Sequence, residues 1–341
     1  MRVLITGAAG RIGRQLTNIL LDEGHQVRAF GLAGDPGLAV LADRGVEVVE
    51  GDLASGAGMD GLAAGVDAVC HLAAALTTHD VADDLFVDVN LRGTFNLLEA
   101  VRQQAPELQR FVYTSSDAVY WTGGEVTAAY LPVDEHHTTL PGTVYGATKV
   151  GAEALCRSYL HSYGIPFAVM RPTATADPGE LVDPGSVFGR RWFVGAALRW
   201  LAARDRLSPA QADMVRTLEA LNAGDETLYS LVAPDGTSSL SMLGDARDVA
   251  SGMRAMIEPA TAIGEAFNIG PAVPHADRLL VEHLGQRLGL PVVEIRHESV
   301  RPSWYISSAK ARSVLGYQPV RTVFDMVDEA TESANSEQAG S

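Results

Sequence analysis

The stretch "RVLITGAAGRIG" (2–13) decides how this chain is read. It opens as a buried-strand run, "RVLITG" (2–7), and passes through "TGAAGRIG" (6–13) into an amphipathic helical pattern, "RIGRQLTNILLDEG" (11–24), that ends at a glycine. Glycines at 7, 10 and 13 mark the join. A tight strand-to-helix turn, a backbone that a pyrophosphate can approach and a close helix-to-sheet contact each need a residue without a side chain, and the helix behind them ends in a positive pole. The stretch reads as a dinucleotide-binding turn, with Gly7, Gly10, Arg11, Ile12 and Gly13 around the diphosphate.

Outward from that turn, short β-branched runs alternate with longer helical patterns, the signature of a parallel sheet wound with crossover helices. Strands are expected at "QVRAFG" (26–31), "VEVVEGDL" (46–53), "DAVCHLAA" (67–74), "RFVYTSS" (110–116) and "PFAVMRP" (166–172), with helices through 84–104 and from "TVYGATKVGAEAL" (143–155) to about Tyr163. From about 173 the rhythm breaks. "TATADPGELVDPGS" (173–186) is rich in turn residues and a helical pattern follows through 188–222, before "GDARDVASGMRAMIE" and "EAFNIG" (265–270) read as a helix and strand rejoining the sheet. The expected fold is α/β, a Rossmann-like doubly wound parallel sheet with a smaller, discontinuous C-terminal substrate-binding cap. Residues 1–172 and 243–270 form the dinucleotide-binding domain, 173–242 and 271–330 the cap over the carboxyl ends of the strands, and 331–341 a flexible tail.

Composition narrows the function classes. At 341 residues and 47% hydrophobic the chain can bury a large core, and its formal charge of −16 repels nucleic acid and acidic membranes at long range. No window approaches the roughly 20 uninterrupted apolar residues that cross a bilayer. The sequence runs straight into a strand with no cleavable apolar segment ahead of it, so a cytoplasmic protein is expected. The two cysteines, Cys70 and Cys156, read as core residues, and the adjacent His136 and His137 lack metal-site spacing, so no catalytic metal is expected.

Only two lysines occur, Lys149 and Lys310, and Lys149 follows Tyr145 by four residues. A helix places such a pair on one face, one turn apart. An unperturbed tyrosine has a pKa of ~10, and a nearby cation favours its phenolate. Lys149 can be that cation; a plain helix-surface pair is the alternative.

The order of a glycine turn, "YTSSDAVY" (113–120) and Tyr-x-x-x-Lys resembles the extended short-chain dehydrogenase/reductase family, of the NAD-dependent epimerase/dehydratase type. The likeness continues through "EGDL" (50–53), "HLAA" (71–74), "VNLRGTFNLLEA" (89–100) and "MRP" (170–172). The resemblance implies that Tyr145 is the catalytic acid/base, that Lys149 lowers its pKa and bonds the nicotinamide ribose, and that Ser116, or less favourably Ser115, orients the substrate oxygen. It implies that Asp52, with Leu53 beside it, meets the adenine, that Ala73, Ala74 and Ala75 line the cofactor, and that Asn90 stands behind the active site. A turn aspartate, small packing residues and a helix-face asparagine are the alternatives. Substrate contacts are expected at Ser116, Asp117, Thr173 and Arg301, and a homodimer through helices 84–104 and 145–163.

The chain also departs from the family. The end of strand two carries Gly31 and Leu32, where members usually place an acid for the NAD ribose or an arginine for NADP. The absence of that arginine leans the cofactor to NAD, with Arg11 able to reach a 2′-phosphate and Asp35 a ribose diol. Ala174 and Ser241 stand where nucleotide-sugar enzymes of the family carry diphosphate contacts, and Ala118 replaces the second carboxylate of the sugar dehydratases. The pattern Phe188, Trp192, Ala196 forms a stripe on a helix through 187–200, to be read as core or as an apolar pocket wall. The expected activity is an NAD(P)-dependent oxidoreductase or epimerase of carbohydrate metabolism acting on a secondary alcohol or ketone of a sugar-like small molecule. A reductase of a non-sugar ketone (polyketide, steroid-like or aromatic) is the alternative, and a non-catalytic dinucleotide sensor the minor one.

Overall fold

The structure, a computed structural model, describes residues 1–76, 81–120, 128–204, 206–298 and 300–340, the side chains of 335–340 excepted. Two compact units emerge: Met1–Thr175, Ala246–Ala272 and Ile306–Pro319 form the first, and Ala176–Asp245, Val273–Tyr305 and Val320–Ser341 the second.

The first unit is built on seven strands: β1 (Arg2–Thr6), β2 (Gln26–Gly31), β3 (Glu47–Glu50), β4 (Ala68–His71), β5 (Arg110–Thr114), β6 (Phe167–Pro172) and β7 (Ala266–Ile269). They pair in the order β7-β6-β5-β4-β1-β2-β3, all parallel. Strand order reverses between β1 and β4, which opens a crevice at their carboxyl ends. The inner strands read as unbroken apolar runs because each face of the sheet is covered by its own core. The helices of this unit include α1 (Arg11–Asp22), α2 (Pro36–Asp43), α3 (Gly93–Gln104), α4 (Val144–Tyr163) and α5 (Ala246–Ala255). One core gathers Val3, Ile5, Cys70 and Val112 with Leu16 and Leu20 of α1, and the other Leu4, Val69, Phe111 and Phe167 with Leu97 of α3 and Cys156 of α4.

Several expected elements are shorter in the structure, for identifiable reasons. β3 stops at Glu50, where Asp52 accepts from the Ala54 amide at 2.9 Å and turns the chain. β4 stops at His71, after which the Ala73 amide donates to Thr6 Oγ1 rather than to a strand. The helix expected over 84–104 starts at Asp83 and contains a π-helical stretch, Val87–Arg92, before α3. Such insertions re-aim side chains and gather at functional sites.

Two parts of the expected division differ from the compact units. Residues 306–319 return to the first unit: the Ser307 amide donates to the Val133 carbonyl at 2.7 Å, and Tyr317 lies in the sheet core with its hydroxyl on the Gly270 carbonyl. The segment expected as a flexible tail from 331 instead continues a helix, Val323–Gly340, with Thr331 buried and accepting from Arg287; Ser341 lies outside the described residues.

In the second unit, helices Val194–Ala202, Pro209–Glu219 and Asp277–Leu288 accompany a parallel pair, Leu228–Val232 with Val292–Arg296. The helical pattern read through 188–222 is broken. Gly189–Arg191 is a single tight turn, and a Ser208–Gln211 capping box starts a separate helix at Pro209. Phe188 and Trp192 precede the helix that carries Ala196, so the stripe is divided, and all three side chains are buried.

Candidate active site

The glycine turn is bare because nothing else fits. Gly7 has φ +71°, and a Cβ there would stand 2.7 Å from the Ala73 amide nitrogen. A Cβ on Gly13 would stand 2.2 Å from the Gly7 carbonyl oxygen, so α1 can approach β1 only without it. Gly10 caps α1 in an extended conformation, its amide on the Gly7 carbonyl at 3.0 Å, and neither a capping side chain nor an acidic first-turn residue competes for the helix pole. These features fit a dinucleotide diphosphate. Arg11 is half-buried beside the turn, and Ile12 packs against the sheet core.

Across the crevice, Asn90 grips the small-residue segment. Its Oδ1 accepts from the Ala75 amide at 2.8 Å and its Nδ2 donates to the Ala75 carbonyl at 3.1 Å, fixing the backbone at Ala75, while the Ala73 amide is held by Thr6 Oγ1. The same amide nitrogen reaches Thr148 Oγ1 at 3.5 Å on α4. His71 ties this region to the glycine strand, with Nδ1 2.7 Å from Thr6 Oγ1 and Nε2 3.0 Å from Thr94 Oγ1. Burial and the neighbouring Lys149 push its pKa down to about 3, so it is a neutral structural link.

Around Asp52 and at the end of β2 the side chains have structural duties. Asp52 accepts from the Ser55 hydroxyl at 2.8 Å and from the Ala54 and Ser55 amides, which hold its carboxyl below the usual range. Leu53 is core, pressed against the helix at Gly93. Asp35 caps α2 through the Gly37 amide at 2.8 Å, while Leu32 is exposed at the end of β2.

Ser116, Tyr145 and Lys149 meet where β5 and α4 face each other. Ser116 caps the short turn Asp117–Val119, its hydroxyl accepting from the Ala118 amide at 3.1 Å and donating to Asp117 Oδ1 at 3.2 Å. Thr143 caps α4 one turn below, and Gly146 lets that turn close on the Ala118 carbonyl, which a Cβ would approach to 2.7 Å. Lys149 is 2% exposed, donates to the Thr114 carbonyl at 2.9 Å and lies 5.6 Å from the centre of the Tyr145 ring. Burial pushes Tyr145 up to about 12, the neighbouring Ser116 hydroxyl pulls it back, and Asp117 adds to the rise. Burial pushes Lys149 down to about 7, opposed by Glu153. Lys149 Nζ thus lies over the Tyr145 ring while bonded to the Thr114 carbonyl.

Ser115, the alternative serine, turns away and donates to Glu153 Oε1 at 2.6 Å. Glu153 was missed from the sequence, although it stands one helical turn beyond Lys149. It forms a buried pair with Arg171 of "MRP", Nε to Oε1 at 2.9 Å and Nη2 to Oε2 at 2.5 Å. Of the expected substrate contacts, Asp117 accepts from Ser116 at 3.2 Å, and Thr173, buried, follows β6 with its amide on the Ile269 carbonyl. Arg301 belongs to the second unit and is exposed. Among the described residues no group of three or more His, Cys, Asp or Glu is placed to hold a metal, and no helix is long and apolar enough to cross a membrane.

Known proteins resemble this chain in sequence and fold. The NAD dependent epimerase/dehydratase family matches residues 3–270. A 3 beta-hydroxysteroid dehydrogenase/Delta 5→4-isomerase of Mycobacterium tuberculosis is 30% identical over 94% of this chain and 87% of its own, and a UDP-glucose 4-epimerase of Mycolicibacterium smegmatis 29% identical over 94% of each. A 3-beta-hydroxysteroid dehydrogenase of Mycolicibacterium neoaurum, 32% identical over 52% of this chain, is matched over only 49% of its length. A crystal structure of a short-chain dehydrogenase/reductase superfamily protein from Agrobacterium tumefaciens with bound NAD superposes at a TM-score of 0.87, with 28% identity over 100% of this chain and 99% of that one. The chain thus belongs to the NAD-dependent epimerase/dehydratase family, within the extended short-chain dehydrogenases/reductases, and is an enzyme of the nicotinamide dinucleotide class.

Proposed function

We propose that this enzyme interconverts a secondary alcohol and a ketone on a sugar or sugar-like substrate, with Tyr145 as acid/base, Ser116 orienting the substrate oxygen and Lys149 holding the nicotinamide ribose. The observation that carries this reading is the placement of Tyr145 and a buried Lys149 one turn apart on α4, with Lys149 Nζ bonded to the Thr114 carbonyl two residues before Ser116. NAD, favoured over NADP because no arginine stands at the end of β2, would rest on Gly7, Gly10, Arg11, Ile12 and Gly13, along Ala73, Ala74 and Ala75, with Asp52 and Leu53 at the adenine. When bound, it supplies the acceptor and donor of hydride. The chain's own part is to place the hydroxyl and to move its proton through Tyr145 Oη, which burial keeps protonated until the phenolate is stabilised in the loaded site. Asp117, Thr173 and Arg301 are the further substrate contacts of this reading. A homodimer through the helices over 83–104 and α4 accompanies this reading.

Likeness to hydroxysteroid dehydrogenases favours a second reading, oxidation or reduction of a steroid-like or other non-sugar ketone. The test begins with the purified protein, denatured, and the mass and stoichiometry of any dinucleotide it releases. Near-stoichiometric NAD supports an epimerase-like internal cycle. An empty protein points to cofactor exchange at each turnover, and nicotinamide absorbance with sugars and steroids in parallel then separates the two readings. Release of NADP overturns the cofactor assignment.

A further inference from the structure

Glu153 is the buried group that this reading leaves without a task. It lies on α4 at the second step of a helical ladder, Tyr145, Lys149, Glu153, and both its oxygens are engaged. Ser115 and Arg171 Nε reach Oε1, and Arg171 Nη2 reaches Oε2. Arg171 Nη1 in turn donates to the Tyr120 hydroxyl at 2.7 Å, and that hydroxyl donates to Asn268 Oδ1 at 2.8 Å on β7. With both oxygens bonded and the side chain sealed from solvent, Glu153 is not placed to exchange protons with a substrate.

A buried ion pair is a poor device for stability alone, since apolar replacements of similar volume are often neutral or better. A charge held at a fixed place offers something else. The titratable and charged groups around Lys149 are Tyr145 and Glu153 on α4, Tyr113 on β5, His71 on β4, and Arg171 on β6, which faces Glu153. His71 is neutral, and burial holds Tyr113 protonated. Glu153 is the group among them that favours a charged Lys149.

We propose that Glu153, clamped by Arg171 and Ser115, is a positioning residue whose fixed negative charge keeps Lys149 cationic. The use of that charge, at the cofactor ribose and toward Tyr145, rests on the function proposed above; the charge itself can be measured without it. Because the chain has only two lysines, labelling lysine with ¹³C at Cε yields two signals, and Lys310→Arg assigns them. In the full chain, the Lys149 midpoint in Glu153→Gln falls by about one pH unit or more relative to the unsubstituted protein, as expected for losing one charge about a helical turn away, while Lys310 stays put. An unmoved Lys149 midpoint in a folded Glu153→Gln protein overturns the proposal. Should that variant not fold because Arg171 is left unpaired, Glu153→Gln with Arg171→Met removes both charges, and there too a fall supports the proposal and none overturns it. Turnover surviving Tyr145→Phe sinks the proposed chemistry but leaves this titration untouched, so the two failures are distinguishable.

Discussion

Two sets of charges, one in each unit, are held in opposite ways. In the first, Lys149, Glu153, Arg171 and His71 are buried and each is tied to named partners. In the second, the pairs Arg199–Asp225 and Arg278–Glu282 lie in solvent, with side-chain exposures of 60%/33% and 44%/42%. Solvated pairs contribute little and reorient freely, whereas a buried ionic group must be satisfied in one geometry. The first unit therefore holds a constellation in place, and the second is free to vary its surface around a small apolar core of Val194, Leu201, Leu218 and Ile295.

That contrast can be broken or sharpened by substitution. The largest effect is expected for Tyr145→Phe: turnover falls roughly 10²- to 10⁴-fold while NAD affinity stays within about threefold, read by nicotinamide absorbance and by calorimetric titration. A variant that turns over normally would move the acid/base elsewhere. Next comes Arg171→Met, which leaves Glu153 buried without its partner and costs about 3–5 kcal/mol of stability by denaturant unfolding. Arg199→Ala in the second unit, by comparison, costs about 0.2–1 kcal/mol. Similar losses at the two sites would erase the distinction between the units.

A pH dependence of intermediate size follows from Lys149. Its folded pKa, about 7, lies below the ordinary 10.5, so between these values the unfolded chain binds the extra proton. Stability relative to Lys149→Met accordingly rises as pH climbs from about 7 toward 10.5, and is flat below that window; unfolding curves collected across it for both proteins give the slope. The smallest effect is expected at the cysteines. Burial raises both thiols, Cys70 to about 12 and Cys156 further, so neither reacts with a disulfide reagent at pH 8 until the first unit unfolds.

The parts of the molecule legible in the chain are those set by local spacing. Gly7, Gly10 and Gly13 announce the turn because a strand-to-helix join over a phosphate excludes side chains within a few residues of sequence, and Tyr145 with Lys149 announces a shared helix face because four residues make about one turn. Alternating strand and helix patterns gave the parallel sheet for the same reason. The rest depends on partners far apart in the chain. Ser115, Glu153 and Arg171 meet across 38 and 18 residues, and Tyr120 reaches Asn268 across 148, so no local period marks them as a network. The return of 306–319 to the first unit, the splitting of the 188–222 helix and the helical course of the chain's end are likewise decided by which surfaces they cover. Spacing along a chain specifies elements and motifs because those are short-range geometry; which polar groups are buried together, and hence which charges a site can keep, is a property of the packed fold alone.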